Sequence, residues 1–366
     1  MVNSEPNPIK EYYIAYFDIL GYKEFFKQQP EKAADLLKMI HNAIQRTNSH
    51  IETVNQSVIF KSYGQIEVSV KIFSDNILLC MEASEKPYEP MRLLAFLKSV
   101  SDIQRGFVTE YGLFVRGGIV KGSLSLNSDY VFGQGLIDAV HLEETAIYPR
   151  IVIAEPLIQF LAKEHFNFDD EIHAAINSPN PGEAVSIDTR DVTGIRLYYK
   201  RISDLIHYSA GHLAMQWQDG VWIINYLHQI YVSDMFGKDG SNALMQALEE
   251  VAPDDVNLMF PPLMYLEISL VEQYQKTSLD AVMGQHKKRV TEQLLRYGHN
   301  DDIQTGKTEL AEVREHILKK YIWAMAYHNR VCNMYQKPDY MILTRCNCDA
   351  RFLKTTIEVL EDEAGV

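Results

Sequence analysis

The sequence predicts an α+β fold: a sheet with flanking helices, continued by a mainly helical C-terminal region. Two observations predict it. Short apolar, β-branched runs alternate with helix-spaced segments through the first two thirds of the chain, and beyond about Ser233 only long segments with apolar residues at three- and four-residue steps remain. With 366 residues, 46% of them hydrophobic, the chain can bury a sizeable core, and the change of character divides it into regions 8–232 and 233–366.

The first element is the bulky run Tyr12–Phe17, which reads as a buried strand ending at Asp18 and turning at Gly21. From Glu31 to Ile51, residues Ala33, Leu36, Leu37, Ile40, Ala43 and Ile44 have helical spacing. Gln65–Ile72 alternates with period two, Asn76–Met81 is a second short strand, and Phe73-Ser74-Asp75 between them is a hairpin turn. A helix from about Pro90 to Tyr111 leads into a strand from Leu113 to Val120, which Gly122 is expected to end. Gly135–Ala146 reads as a helix and Arg150–Ala154 as a buried strand. Asn177–Gly182 is a loop, and Asp219-Gly220 marks a hairpin between His212–Trp217 and Val221–Tyr226. Leu263–Tyr297 and Thr308–Met334 are long helices in an antiparallel pair, separated by a polar linker.

A formal net charge of −14 argues against broad binding to nucleic acid or to an anionic membrane, both of which need a basic surface. Four cysteines in this length fit a reducing compartment. Cys346-Asn347-Cys348, even with His328 as a third ligand, lacks the second pair that makes a zinc signature. The N-terminus has neither the basic nor the apolar region of a signal peptide, and no run reaches the ~18 apolar residues of a membrane span, so the expectation is a soluble, cytoplasmic protein.

Asp18 at a strand end and Asp75 at a hairpin tip converge at one sheet edge if their strands are neighbours. Paired carboxylates there suit Mg²⁺ or Mn²⁺, and two such ions can activate an attacking oxygen and hold nucleotide phosphates. Gly21 lets backbone N–H groups approach a triphosphate. The bland reading is an N-cap for Asp18 and turn chemistry for Asp75.

The joint pattern resembles the class III nucleotidyl cyclases. Phe17-Asp18-Ile19-Leu20-Gly21-Tyr22 is similar to their first-strand motif, Lys71-Ile-Phe-Ser-Asp75 keeps their hairpin spacing, and Val115–Gly122 looks like their next core strand. Phe132–Glu143 fits a further motif in part: the family's transition-state asparagine and arginine fall on Ile137 and His141, and its base-reading aspartate on Gln134. The set FDILGYK, FSDNI, RGGI-x-x-G, G-x-x-x-x-A-x-x-LE and PRI is most similar to the bacterial pyrimidine cyclases of the Pycsar antiphage systems, chiefly over residues 10–160.

That resemblance implies a ferredoxin-like, palm-type antiparallel sheet, with Asp18, Asp75 and the Ile19 carbonyl holding two Mn²⁺ or Mg²⁺ ions. It implies conversion of UTP to cyclic UMP and pyrophosphate as a signal in antiphage defence, with CTP, a purine nucleotide or a non-catalytic interaction module as alternatives. Phe17, Gly21, Tyr22, Lys71, Lys121 and Gln134 are the candidate nucleotide contacts, and Arg116 or Arg150 the candidate stabiliser of the pentavalent phosphorus. His141 reads as helix surface or dimer contact. The family's sites lie across a dimer interface, so a homodimer with shared sites is expected.

Overall fold

A computed structural model describes residues 7–23, 67–83, 89–127, 129–163, 213–227, 279–298 and 308–342, together with isolated positions between 27 and 55. Of the expected helix over 31–51 only isolated positions are described, all helical, and the loop at 177–182, the boundary at 233, the first part of the 263–297 segment, and Cys346 and Cys348 lie outside the described residues.

β1 (Lys10–Ile19) is the central strand, hydrogen-bonded on one side to β3 (Asn76–Glu82) and on the other to β4 (Val115–Leu126), both antiparallel. Its unbroken apolar run follows from that position, because a strand covered on both faces has no solvent side to make polar. Side chains alternate between the faces. Tyr13, Ala15, Phe17 and Ile19 join Ile77, Leu79 and Met81 in the larger core, whereas Ile14 joins Leu78, Cys80 and Val120 in a smaller core on the opposite face.

The sheet is mixed, in the order β2-β3-β1-β4-β6-β8-β7, with β2 at Val68–Phe73, β6 at Ile151–Ile153, β7 at Ala214–Gln216 and β8 at Trp222–Ile224. Its neighbours are antiparallel except for β4 and β6, and a short β5 (Val131–Phe132) pairs with the far end of β4. This is the α+β architecture expected from the sequence, but the sheet expected to be antiparallel holds one parallel pair, the short β5 was not foreseen, and further differences follow. β4 does not stop at Gly122 but runs on to Leu126. The Asp219-Gly220 hairpin forms with shorter strands than expected. A helix at Glu155–Ala162, α3 below, has no counterpart in the sequence reading.

α1 (Glu89–Tyr111) lies on the larger-core face, with Leu93, Phe96, Leu97, Val100 and Phe107 buried. α2 (Gln134–Thr145) covers the smaller core. It approaches so closely that a Cβ on Gly122 of β4 would lie 2.6 Å from Gly135 Cα. Gly122 is therefore the seat of α2 and not a strand breaker.

After α3 (Glu155–Ala162), the described C-terminal helices α4 (Leu279–Gly298) and α5 (Thr308–Met334) bury Met283, Val290, Ile322 and Trp323 in the larger core. A buried polar chain fastens them to the sheet. Tyr226 Oη lies 2.8 Å from His286 Nε2, His286 Nδ1 lies 3.0 Å from His328 Nδ1, and His328 Nε2 lies 2.9 Å from the Tyr340 carbonyl. The carbonyl only accepts, so His328 Nε2 donates to it. Neutral His328 then accepts at Nδ1 from His286 Nδ1–H, and Tyr226 Oη–H donates to His286 Nε2. Every group is satisfied with both imidazoles neutral. Among the described residues no helix is long and apolar enough to cross a membrane.

Candidate active site

The strand register places Phe73 of β2, Asn76 of β3, Asp18 of β1 and Arg116 of β4 in one cross-strand row. Their side chains share the smaller-core face, as opposed residues in a sheet must. The turn Ser74–Asp75 joins β2 to β3, with Ser74 in the left-handed region at φ 62°. The main chain then clamps this turn to the end of β1: Ile19 N–H donates to the Asp75 carbonyl at 2.9 Å. The next peptide, Leu20 N–H, donates to the Phe114 carbonyl at the same distance, and Gly21 turns the chain at φ 79°. Two aspartates far apart in sequence are thus brought together by backbone pairing.

Charge follows this geometry. Burial pushes the Asp18 carboxyl above its ordinary value, and neighbouring Asp75 adds to the shift, while Arg116, Lys320 and Lys23 oppose it. Arg116 Nε donates to Glu143 Oε1 at 2.5 Å, whereas its Nη2 lies 3.7 Å from Asp18 Oδ2. The guanidinium is therefore aimed by Glu143 and only loosely paired with Asp18. Burial likewise raises Glu143, with Arg116 pulling it down. Asn76 Nδ2 donates to Asp75 Oδ1 at 3.3 Å, and Tyr16 Oη donates to Asn76 Oδ1 at 2.7 Å, which fixes the amide between the hairpin and β1.

The acidic groups that meet here are carboxylates, the chemistry that hard divalent cations take. Among the described residues no three His, Cys, Asp or Glu side chains gather closely enough to hold a metal by themselves. Asp18 and Asp75 therefore need a main-chain oxygen such as that of Ile19, or ligand oxygens, to complete a shell. A half-buried carboxylate raised by burial beside a second carboxylate fits this need, since a bound cation would relieve both costs.

The other sequence candidates separate by strand parity. Lys71 pairs with Leu78 and so shares the face of Asp18, two positions along β2 from exposed Phe73. Lys121 pairs with Tyr13 and its ammonium lies 5.9 Å from that ring, on the opposite face of the sheet from Asp18. Phe17 is fully buried in the larger core, also on the opposite face. Period two directs the side chains of these two positions away from Asp18. Tyr22 packs against the larger core. Gln134 is exposed at the start of α2 and donates to Asp138 Oδ1 at 2.8 Å.

Arg150 is engaged elsewhere. It is 3% exposed, its Nη1 is 2.6 Å from Asp219 Oδ2, and its guanidinium lies 5.3 Å from the Tyr148 ring and 5.9 Å from Trp323. These contacts occupy its charge in a structural cage. His141 is exposed on α2, as expected.

Three site groups were not foreseen: Asn76, Glu143 and Lys320. Glu143 had a legible signal, for it continues the buried stripe Gly135, Ala139, Glu143 along α2, where a carboxylate needs a partner.

No protein-family model matches the sequence, and no curated protein sequence matches it. Among solved structures it is similar to the adenylyl cyclase CyaB from P. aeruginosa, at 12% identity over 43% of this chain and 83% of that one, with a TM-score of 0.33. It is similar to the guanylyl cyclase Cya2, at 12% identity over 44% and 82%, TM-score 0.32. A bacterial light-regulated adenylyl cyclase overlaps at 13% identity over 43% of this chain and 46% of that chain, TM-score 0.29. These overlaps are too partial, and the identities too low, to carry a function from those proteins to this chain.

Proposed function

We propose that the protein is a nucleotidyl cyclase that converts a pyrimidine nucleoside triphosphate, UTP first, to the 3′,5′-cyclic monophosphate and pyrophosphate. The observation that carries this reading is the pairing of Asp18 with Asp75, held by the Ile19–Asp75 backbone bond beside Arg116. The motifs FDILGY and K-x-x-x-D around those two residues support it.

Asp18, Asp75 and the Ile19 carbonyl are the residues that would hold two Mn²⁺ or Mg²⁺ ions. Such ions, when bound, neutralise phosphate charge and lower the pKa of the attacking hydroxyl. The 3′ oxygen bonds to the α-phosphorus, the bond to the bridging oxygen of the β-phosphate breaks, and pyrophosphate leaves with that electron pair. The hydroxyl proton passes to solvent. Arg116, aimed by Glu143, faces the charge that grows on the α-phosphoryl oxygens. The exposed Phe73 ring, in the same row as Asp18, offers a base a surface to stack on, and Lys71 can donate to a pyrimidine carbonyl.

Homodimerisation belongs to the same proposal: Ile72, Phe73, Phe132 and Ile137 are large apolar side chains left facing solvent, which a second copy would cover. A cytoplasmic role as the signal generator of an antiphage system is the reading favoured by the motif resemblance.

Incubating the full chain with Mn²⁺ and each of the four labelled nucleoside triphosphates tests the proposal. Cyclic UMP is the expected product. Cyclic CMP alone would change the base assignment, and a cyclic purine nucleotide would overturn the pyrimidine reading. No cyclic product from any of the four favours an interaction module.

A further inference from the structure

Two aromatic contacts anchor α5 next to strands and helices that carry site residues. The Tyr321 ring lies edge-on to Phe114, centroids 5.4 Å apart, and Phe114 carries the carbonyl that holds Leu20 and stands two residues before Arg116. Trp323 stacks on Tyr148 at 5.9 Å, just beyond the end of α2 that carries Glu143. Lys320 lies beside the first anchor and three residues before the second. His316 is one turn earlier on the same helix face.

The electrostatics agree with this placement in both directions. Burial, then Arg116, holds the half-buried Lys320 ammonium below its ordinary value, while Asp18 and Glu143 pull it back up. Lys320 in turn favours the charged form of Asp18. Burial first, then Lys320, Lys319 and Arg116 lower His316. Among the described residues Lys320 makes no ion pair, although Arg116 beside it has Glu143. A partly desolvated ammonium without a direct counter-ion, next to carboxylates suited to divalent cations, is placed to receive an anion.

We propose that Lys320 is a substrate-binding residue supplied by the C-terminal helix α5, taking a phosphate oxygen of the polyphosphate chain. The identity of that ligand rests on the nucleotide reading above. The chain's net charge of −14 makes local cations necessary for a polyphosphate, and Arg116 and Lys320, with Lys23 after them, are the cations that act on Asp18. α5 is then part of the site and not an appendage to it, so that any movement of α5 against the sheet changes affinity for the substrate.

The test is calorimetric binding of inorganic tripolyphosphate, with Mn²⁺ present, to the full chain and to Lys320→Gln, Lys320→Arg and Lys319→Gln. Lys319 is half-exposed and paired with Glu315 at 2.9 Å, so its loss removes the same charge from the solvent side of α5. Lys320→Gln is expected to weaken binding about tenfold or more, the loss of one charge-assisted hydrogen bond. Lys320→Arg should restore most of it, and Lys319→Gln should leave it unchanged. Equal binding by wild type and Lys320→Gln, an equal loss in Lys319→Gln, or no tripolyphosphate binding by wild type overturns the proposal. Failure of the cyclase reading shows separately: Lys320-dependent tripolyphosphate binding without cyclic product rejects the reaction alone, whereas cyclic product with unchanged Lys320→Gln binding rejects the role of Lys320 alone.

Discussion

At the scale of single residues, the site concentrates charge where burial makes charge costly. Asp18 is raised by burial and by Asp75. Replacing it with asparagine removes that cost, so Asp18→Asn should leave the apo melting temperature unchanged or slightly higher while turnover falls at least about a hundredfold. Asp75→Asn should match it in turnover, because a neutral amide is a poor ligand for a hard cation. Arg150 divides a structural role from a chemical one. Arg150→Ala strands a cage of Tyr148, Trp323 and Asp219, and should cost about 2–4 kcal/mol of stability by denaturant unfolding. A loss of turnover with full stability would return Arg150 to the catalytic set. The two aspartates were legible because each sits at a marked place in a motif. The face of Lys121 was legible too, since it lies five positions from Arg116 along one strand and an odd step reverses the face. Lys320 left no local mark: only the docking of α5 brings it to Asp18.

At the scale of elements, close approach decides what a glycine means. Gly122 reads as a breaker in one dimension, yet β4 continues through it because α2 rests there. Gly122→Ala should therefore destabilise the protein by about 1–3 kcal/mol and, by tilting α2, loosen the Glu143 hold on Arg116. Thermal melts with measurement of KM and kcat check both parts; a fully stable, fully active Gly122→Ala would show that α2 seats elsewhere. The order of strands was legible because β1 and β3 are unbroken apolar runs and the segment leading into β2 alternates with period two. The weak points were short elements: β6, β7 and β8 have three residues each, too few for period two to set their ends.

At the scale of the whole molecule, the C-terminal helices share one core with the sheet, a fact that apolar spacing alone did not reveal, because it shows that a helix buries a face but not against what. The fastening is the neutral chain Tyr226–His286–His328–Tyr340. Burial lowers both imidazoles, His286 well below its ordinary value and His328 to about 4. The unfolded chain thus binds more protons than the folded one between about pH 6.5 and 4, so the stability from this chain is whole above pH 6.5 and drains away as pH falls to 4. Its size is on the order of 3 kcal/mol for His328. A melting temperature that held constant from pH 7 to 4.5 would contradict this. The central claim is that Asp18 and Asp75 meet over divalent ions. Anomalous scattering from crystals grown with Mn²⁺ and a non-cyclisable nucleoside triphosphate measures it directly: the expected peaks lie roughly 2.0–2.3 Å from carboxylate oxygens of both residues, and manganese bound away from them, or not at all, would contradict it.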